Sequence, residues 1–265
     1  ISQTRAAKLA RELISIQVAE CPTVEALRRF QQSGIHFNLY RHDEDTALVR
    51  IEEANLDTTK PCLPSTPHVR DILRELHGVL RATAQIVLTA LAEFQERAEG
   101  AVAASWLRDA LDASRGALGG RHTLLRSVAY GGKSKVDHPA WTAQGPHQDT
   151  SWLTFVVEST HGLVVDAADN ASKRTVEVGE DLLVQTGGFL FEASGGFFPA
   201  SCHGVGARGR KGELPRFAWV FQMIRGDRYG EHYPKLPMMS CPLKGRHTPG
   251  LAVLNQWMDK SVRWY

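Results

Sequence analysis

The second half of the chain constrains its fold most strongly. There the apolar residues stop recurring at helical spacing and gather into short β-branched or aromatic segments. Leu124 to Tyr130, Trp152 to Glu158, Leu163 to Asp166, Thr175 to Val178, Leu182 to Gln185, Phe189 to Ala193, Phe198 to Val205 and Arg216 to Ile224 read as eight strands. Glycine, asparagine or aspartate punctuates them, as turns require. Eight short strands at near-regular spacing suggest a barrel or a sandwich. Trp152, Phe155, Trp219 and Phe221 alternate along these segments and are expected in its core.

The first half reads as helix. Ala7, Leu9, Ala10, Leu13 and Ile14 recur at helical spacing between Thr4 and Ile16, and Thr23 is suited to cap a second helix through Phe30. A charged, proline-containing loop is expected from Arg41 to Pro67. The clearest helix follows, about Val69 to Arg97, with a stripe through Ile72, Leu73, Leu76, Leu80, Leu88 and Leu91. Ala101 to Leu111 and the tail from Leu251 to Tyr265 also look helical. Helices packed outside the strands make one domain of the 265 residues. Its parts are helical support (1–120), a β core (121–225) and a helical tail (226–265).

Several classes drop out on composition. Hydrophobic residues at 43 % and charged residues at 23 % argue against whole-chain disorder. A formal charge of +2 gives no reason to expect a nucleic acid or membrane partner. The most apolar helical stretch, Val79 to Phe94, contains Arg81, Thr83 and Gln85 and is too polar to span a bilayer. Cys21, Cys62, Cys202 and Cys241 form no CxxC pair, which excludes a zinc ribbon and points to a reducing, cytoplasmic setting.

Chemistry concentrates in Gly145-Pro146-His147-Gln148-Asp149-Thr150. Residues two apart on an extended chain point the same way, so His147 and Asp149 can reach one metal from a single strand end. His203 lies 56 residues after His147 in another strand candidate, a gap that antiparallel pairing can close. Two imidazoles and a carboxylate on one face form the donor set that suits non-heme iron and leaves coordination positions open.

The flanks make the motif specific. Arg126-Ser127-Val128-Ala129-Tyr130 precedes the histidine–aspartate pair. Gly162-Leu163-Val164-Val165 follows it, and then comes Gly187-Gly188-Phe189-Leu190-Phe191-Glu192-Ala193-Ser194-Gly195-Gly196, leading through Pro199 to His203-Gly204-Val205. Arg216 stands 13 residues beyond His203. From about Leu124 to Met223 this order resembles the 2-oxoglutarate/iron(II)-dependent dioxygenase superfamily, nearest its isopenicillin N synthase-like branch. Departures from the family pattern include Val128, where asparagine is usual, and Ala218, where a serine follows the arginine.

The resemblance implies an α+β fold: a double-stranded β-helix (jelly-roll) barrel with flanking, mainly N-terminal, helices. It implies Fe(2+) held by His147, Asp149 and His203, with 2-oxoglutarate and O2 as co-substrates. Arg216 would grip the far carboxylate of 2-oxoglutarate, aided by Tyr130. The expected activity is oxidation of an unactivated C–H bond of a small molecule, by hydroxylation, desaturation or cyclisation. Three alternatives stay open: an iron(II) oxidase of the same fold that does not use 2-oxoglutarate, a non-catalytic metal- or ligand-binding barrel, and a zinc hydrolase.

Overall fold

The computed structural model describes residues 2–23, 35–43, 48–53, 63, 66–105, 107–109, 123–130, 144–158, 162–166, 173–176, 181–205 and 216–223. The helix expected after Thr23, the expected tail helix, Cys62 and Cys241 lie outside them.

Helix α1 (Ser2–Glu20) contains the expected Thr4–Ile16 segment. Helix α2 (Pro67–Glu99) covers the longest stripe. The Thr66 side chain accepts a hydrogen bond from the Val69 amide, Pro67 opens the first turn where no amide partner is needed, and Gly100 ends the helix at φ 90°. Residues 101–105 and 107–109 are helical, as the sequence predicts for that region. Among the described residues, no helix is long and apolar enough to cross a membrane.

Among the described residues, ten strands form two antiparallel sheets. They are β1 (Ile35–Asp43), β2 (Leu48–Glu53), β3 (Thr123–Tyr130), β4 (Gln144–Gln148), β5 (Leu153–Glu158), β6 (Leu163–Asp166), β7 (Lys173–Val176), β8 (Leu183–Thr186), β9 (Cys202–Val205) and β10 (Arg216–Met223). The larger sheet runs β2-β1-β3-β10-β5-β8 and the smaller β4-β9-β6-β7.

Three expectations are corrected. The segment after Arg41 is not all loop, because β1 and β2 pair there and extend the larger sheet through β3. Ile35, Phe37 and Leu39 alternate with polar residues at the strand period, a signal masked by the surrounding charge. Phe189 to Ala193 is not a strand but part of a short helix, α3 (Gly188–Ala193). Phe189 and Leu190 are both buried while Glu192 is exposed, which strand alternation forbids. The stretch from Phe198 to Ser201 is not a strand either, since Pro199 lacks the amide a ladder needs, and pairing begins at Cys202.

Strand alternation divides the core in two. Odd-numbered residues of β3, β5 and β10 (Leu125, Phe155, Phe217, Trp219 and Phe221 among them) join Leu73, Leu76, Leu80 and Leu88 of α2 and Leu13 of α1. Some polar groups inside this layer are paired. The Trp219 indole donates to Gln17 Oε1 at 3.0 Å, and His77 Nε2 meets Thr123 Oγ1 at 2.7 Å. The even-numbered residues Val128, Val156, Ala218 and Val220 join Leu163, Val165 and Val176 of the smaller sheet, with Leu183 of β8, in a second cluster between the sheets. Helices thus cover one face of the larger sheet, and the other face looks across at the smaller sheet.

Candidate metal centre

His147 and His203 are direct register partners on β4 and β9, and His203 is in turn paired with Val165 of β6. Paired residues point to the same side of a sheet. Val165 belongs to the cluster between the sheets, so both imidazoles face that space. Their ring centroids lie 4.4 Å apart. Cys202 occupies the opposite face and is disulfide-bonded, which runs against the reducing setting expected from the cysteine pattern.

Asp149 follows β4 in a loop anchored at several points. Its carbonyl accepts from the Gly188 amide at 2.7 Å, the Ser151 carbonyl from Phe189 at 3.2 Å, and the Trp152 carbonyl from Gly187 at 3.0 Å. The Trp152 amide donates to Met223 at 2.7 Å. These bonds turn the carboxylate back toward the histidines. Oδ1 lies 3.7 Å from His147 Nε2 and Oδ2 lies 3.8 Å from His203 Nε2. One ligand atom from each of the three residues lies within 4.8 Å of the others, and all three residues are buried.

Neighbouring groups hold the donors in ligating form. His203 Nδ1 meets the Ser201 carbonyl at 3.1 Å; a carbonyl only accepts, so this contact puts the proton on Nδ1 and leaves Nε2 toward Asp149. Thr154 donates to Asp149 Oδ2 at 2.6 Å and lies 2.8 Å from the Ser151 hydroxyl. Burial by itself would raise the Asp149 pKa. With no metal bound, coulombic attraction to the His203 imidazole in its charged form and to Arg126, the Thr154 hydrogen bond and the charged form of His147 outweigh it and hold the carboxyl below its ordinary range. A buried ionised carboxylate facing two imidazoles fits a divalent cation. Ligands in neighbouring positions about 2.1 Å from an ion stand roughly 3 Å apart, so a small inward movement of the side chains closes the set.

The two expected co-substrate residues are placed by their backbones. Arg216 opens β10 in register with Tyr130, the last residue of β3. Ala218 and Val128 are themselves register partners, each 1 % exposed in the cluster between the sheets.

Sequence reasoning missed Thr154, Ser151 and the influence of Arg126. The alternation of β5 could have flagged Thr154 as facing the metal side, but only register with the neighbouring strands fixes that side.

No protein-family model matches the chain, and neither does any curated protein. Solved structures share its fold. A Shewanella oneidensis protein described as an oxygenase is 16 % identical, with a TM-score of 0.51 over 83 % of this chain and 78 % of its own. The dioxygenase for auxin oxidation 1 from Arabidopsis thaliana, solved with 2-oxoglutarate, is 14 % identical, with a TM-score of 0.50 over 83 % of this chain and 79 % of its own. A Neurospora crassa protein solved with alpha-KG and thymine is 16 % identical, with a TM-score of 0.52; the match covers 76 % of this chain but only 57 % of the Neurospora protein. At such identities the likeness speaks to fold, and the chemistry has to be argued from the site.

Proposed function

We propose that this chain is a single-domain, mononuclear non-heme iron(II) oxygenase that uses 2-oxoglutarate to oxidise an unactivated C–H bond of a small molecule. The observation that carries this reading is the buried His147–Asp149–His203 set on the face between two antiparallel sheets. Bound there, iron(II) would supply oxygen activation and 2-oxoglutarate the electrons for it. The residues of the chain do the rest. His147, Asp149 and His203 would hold the ion through three donors, a set that would leave coordination positions for co-substrate and oxygen. Thr154 and the Ser201 carbonyl orient two of those ligands. The apolar cluster between the sheets keeps the reaction zone dry.

Arg216 is the proposed partner of the far carboxylate of 2-oxoglutarate, with Tyr130 beside it. Four residues along β10 separate Arg216 from Val220, the register partner of Arg126, whose charge is felt at Asp149. That is about 13 Å of strand, a span that a five-carbon dicarboxylate and an extended arginine can share. Val128 and Ala218 support the same site. Losing only one of two facing polar groups would orphan the other in a buried place, and here both positions are apolar. The ordered run of motifs is what supports a reading nearest the isopenicillin N synthase-like branch. Asp149 fills the position that a halogenase would leave open, so hydroxylation, desaturation or cyclisation in secondary or amino-acid metabolism is the proposed outcome. The solved relatives that hold 2-oxoglutarate or alpha-KG support that co-substrate, and the Neurospora protein holding thymine supports a small-molecule substrate.

Ala218 also motivates a second reading, an iron(II) oxidase of the same fold that dispenses with 2-oxoglutarate. Protein loaded anaerobically with iron(II) should hold one equivalent, and His147→Ala or His203→Ala should release it. On admitting oxygen, slow formation of succinate from 2-oxoglutarate is expected even without the primary substrate. Iron retained by both variants would sink the metal assignment. Iron bound normally with oxygen consumed but no succinate would transfer the function to the oxidase reading.

A further inference from the structure

Gln185 is 1 % exposed, and neither its Nε2 nor its Oε1 has a hydrogen-bond partner among the described residues. Its direction follows from alternation along β8. Val184 packs in the helix-side core and Leu183 in the cluster between the sheets, so position 185 faces the space between the sheets as Leu183 does. Its register partner on β5 is Thr154, the residue that donates to Asp149 Oδ2. Gln222 of β10 is paired with Thr154 from the other side. A polar row, Gln222–Thr154–Gln185, therefore crosses the larger sheet beside the Asp149 carboxylate. The next row along the strands is apolar: Val220, Val156 and Leu183.

A buried amide with both ends unpaired is costly in a folded protein and calls for a partner. Its chemistry defines that partner. A carboxylate would satisfy only the two N–H donors, and an ammonium only the carbonyl oxygen. A neutral group presenting a donor and an acceptor together satisfies both, in the way that glutamine reads the donor–acceptor edge of adenine. The apolar row beside it suits an apolar remainder of the same ligand.

We propose that Gln185 is the recognition point for a neutral ligand with an amide-type edge on a small apolar body, and that this ligand is the primary substrate. The identification as substrate rests on the oxygenase reading; the recognition of an amide edge does not.

Three probes of similar size separate the possibilities: propanamide, propanoate and propylammonium. Their binding to the zinc(II)-loaded full chain, and to the metal-free chain, can be followed by saturation-transfer NMR, with metal content measured in parallel. Propanamide should bind in the ~millimolar range expected of so few atoms and roughly tenfold tighter than either ion, the weight of one or two hydrogen bonds. It should also shift the Gln185 side-chain amide resonances. Gln185→Leu, close in volume, should weaken propanamide about tenfold while raising the thermal midpoint by about 2–4 °C, because it removes an unsatisfied amide.

Equal binding of the three probes overturns the proposal, as it would if ordinary hydration satisfied the amide. So does unchanged propanamide binding in Gln185→Leu, or a lowered midpoint, which would mark a structural glutamine. Failure of the wild-type chain to take up metal would count against the oxygenase reading instead, and the probe comparison on metal-free protein would still decide the role of Gln185.

Discussion

Asp149 is where the local physics of the site is most exposed. Burial penalises its charge, yet His203, Arg126, Thr154 and His147 together keep the carboxyl below its ordinary value. A group whose folded-state pKa is lowered stabilises the fold fully above its unfolded pKa, about 3.9 for an aspartate, and loses that contribution as the pH falls through the lowered value. Urea unfolding of the metal-free chain between pH 5 and pH 3 should therefore show a loss of stability that Asp149→Asn lacks; parallel curves would refute the linkage. Thr154→Val keeps the shape and removes the donor to Oδ2. Metal affinity in that variant, measured by competition with a chelator, should fall about 10–100-fold with the secondary structure unchanged. An unaltered affinity would show that the loop alone sets the carboxylate.

Among the elements, the junction of the Asp149 loop with the start of α3 carries the site. Gly187 has an ordinary φ of −105°, so it is there for space rather than for conformation: a Cβ at that position would overlap the Ser151 backbone carbonyl. Gly187→Ala must push the 149–152 loop away and should cost more than about 2 kcal/mol in unfolding free energy, with iron binding weakened as well. A variant of wild-type stability and affinity would mean that the loop yields freely. This junction also shows where the sequence was legible. His147, Asp149 and His203 could be found because histidine–aspartate spacing is local and its flanks are ordered. Strand β4 was not foreseen: Gln144-Gly145-Pro146-His147-Gln148 has no β-branched residue, and its pairing with β9 shifts register between Gln144 and His147, around Pro146. Nor could Gln185 be linked to Thr154, or Ala218 to Val128. Cross-strand register arises from contacts distant in sequence, and single-strand alternation leaves the choice of face open.

On the scale of the whole molecule, the two halves have separate tasks. The long helices bury one face of the larger sheet through Leu73, Leu76, Phe155, Trp219 and Phe221. The opposite face carries the polar row Gln222–Thr154–Gln185 and looks toward the smaller sheet, which bears His147 and His203. The solved structures with the same fold are 14–16 % identical to this chain, so an architecture is shared across nearly unrelated sequences and activity depends on what is placed between the sheets. The account stands on iron(II) at His147, Asp149 and His203 with 2-oxoglutarate reaching toward Arg216. An anaerobic titration of the iron(II)-loaded protein with 2-oxoglutarate tests this most directly, through the visible charge-transfer band that forms when the keto acid chelates the metal. The account predicts a saturable band that is lost or greatly weakened in Arg216→Ala. Full iron loading with no band at any 2-oxoglutarate concentration would contradict it.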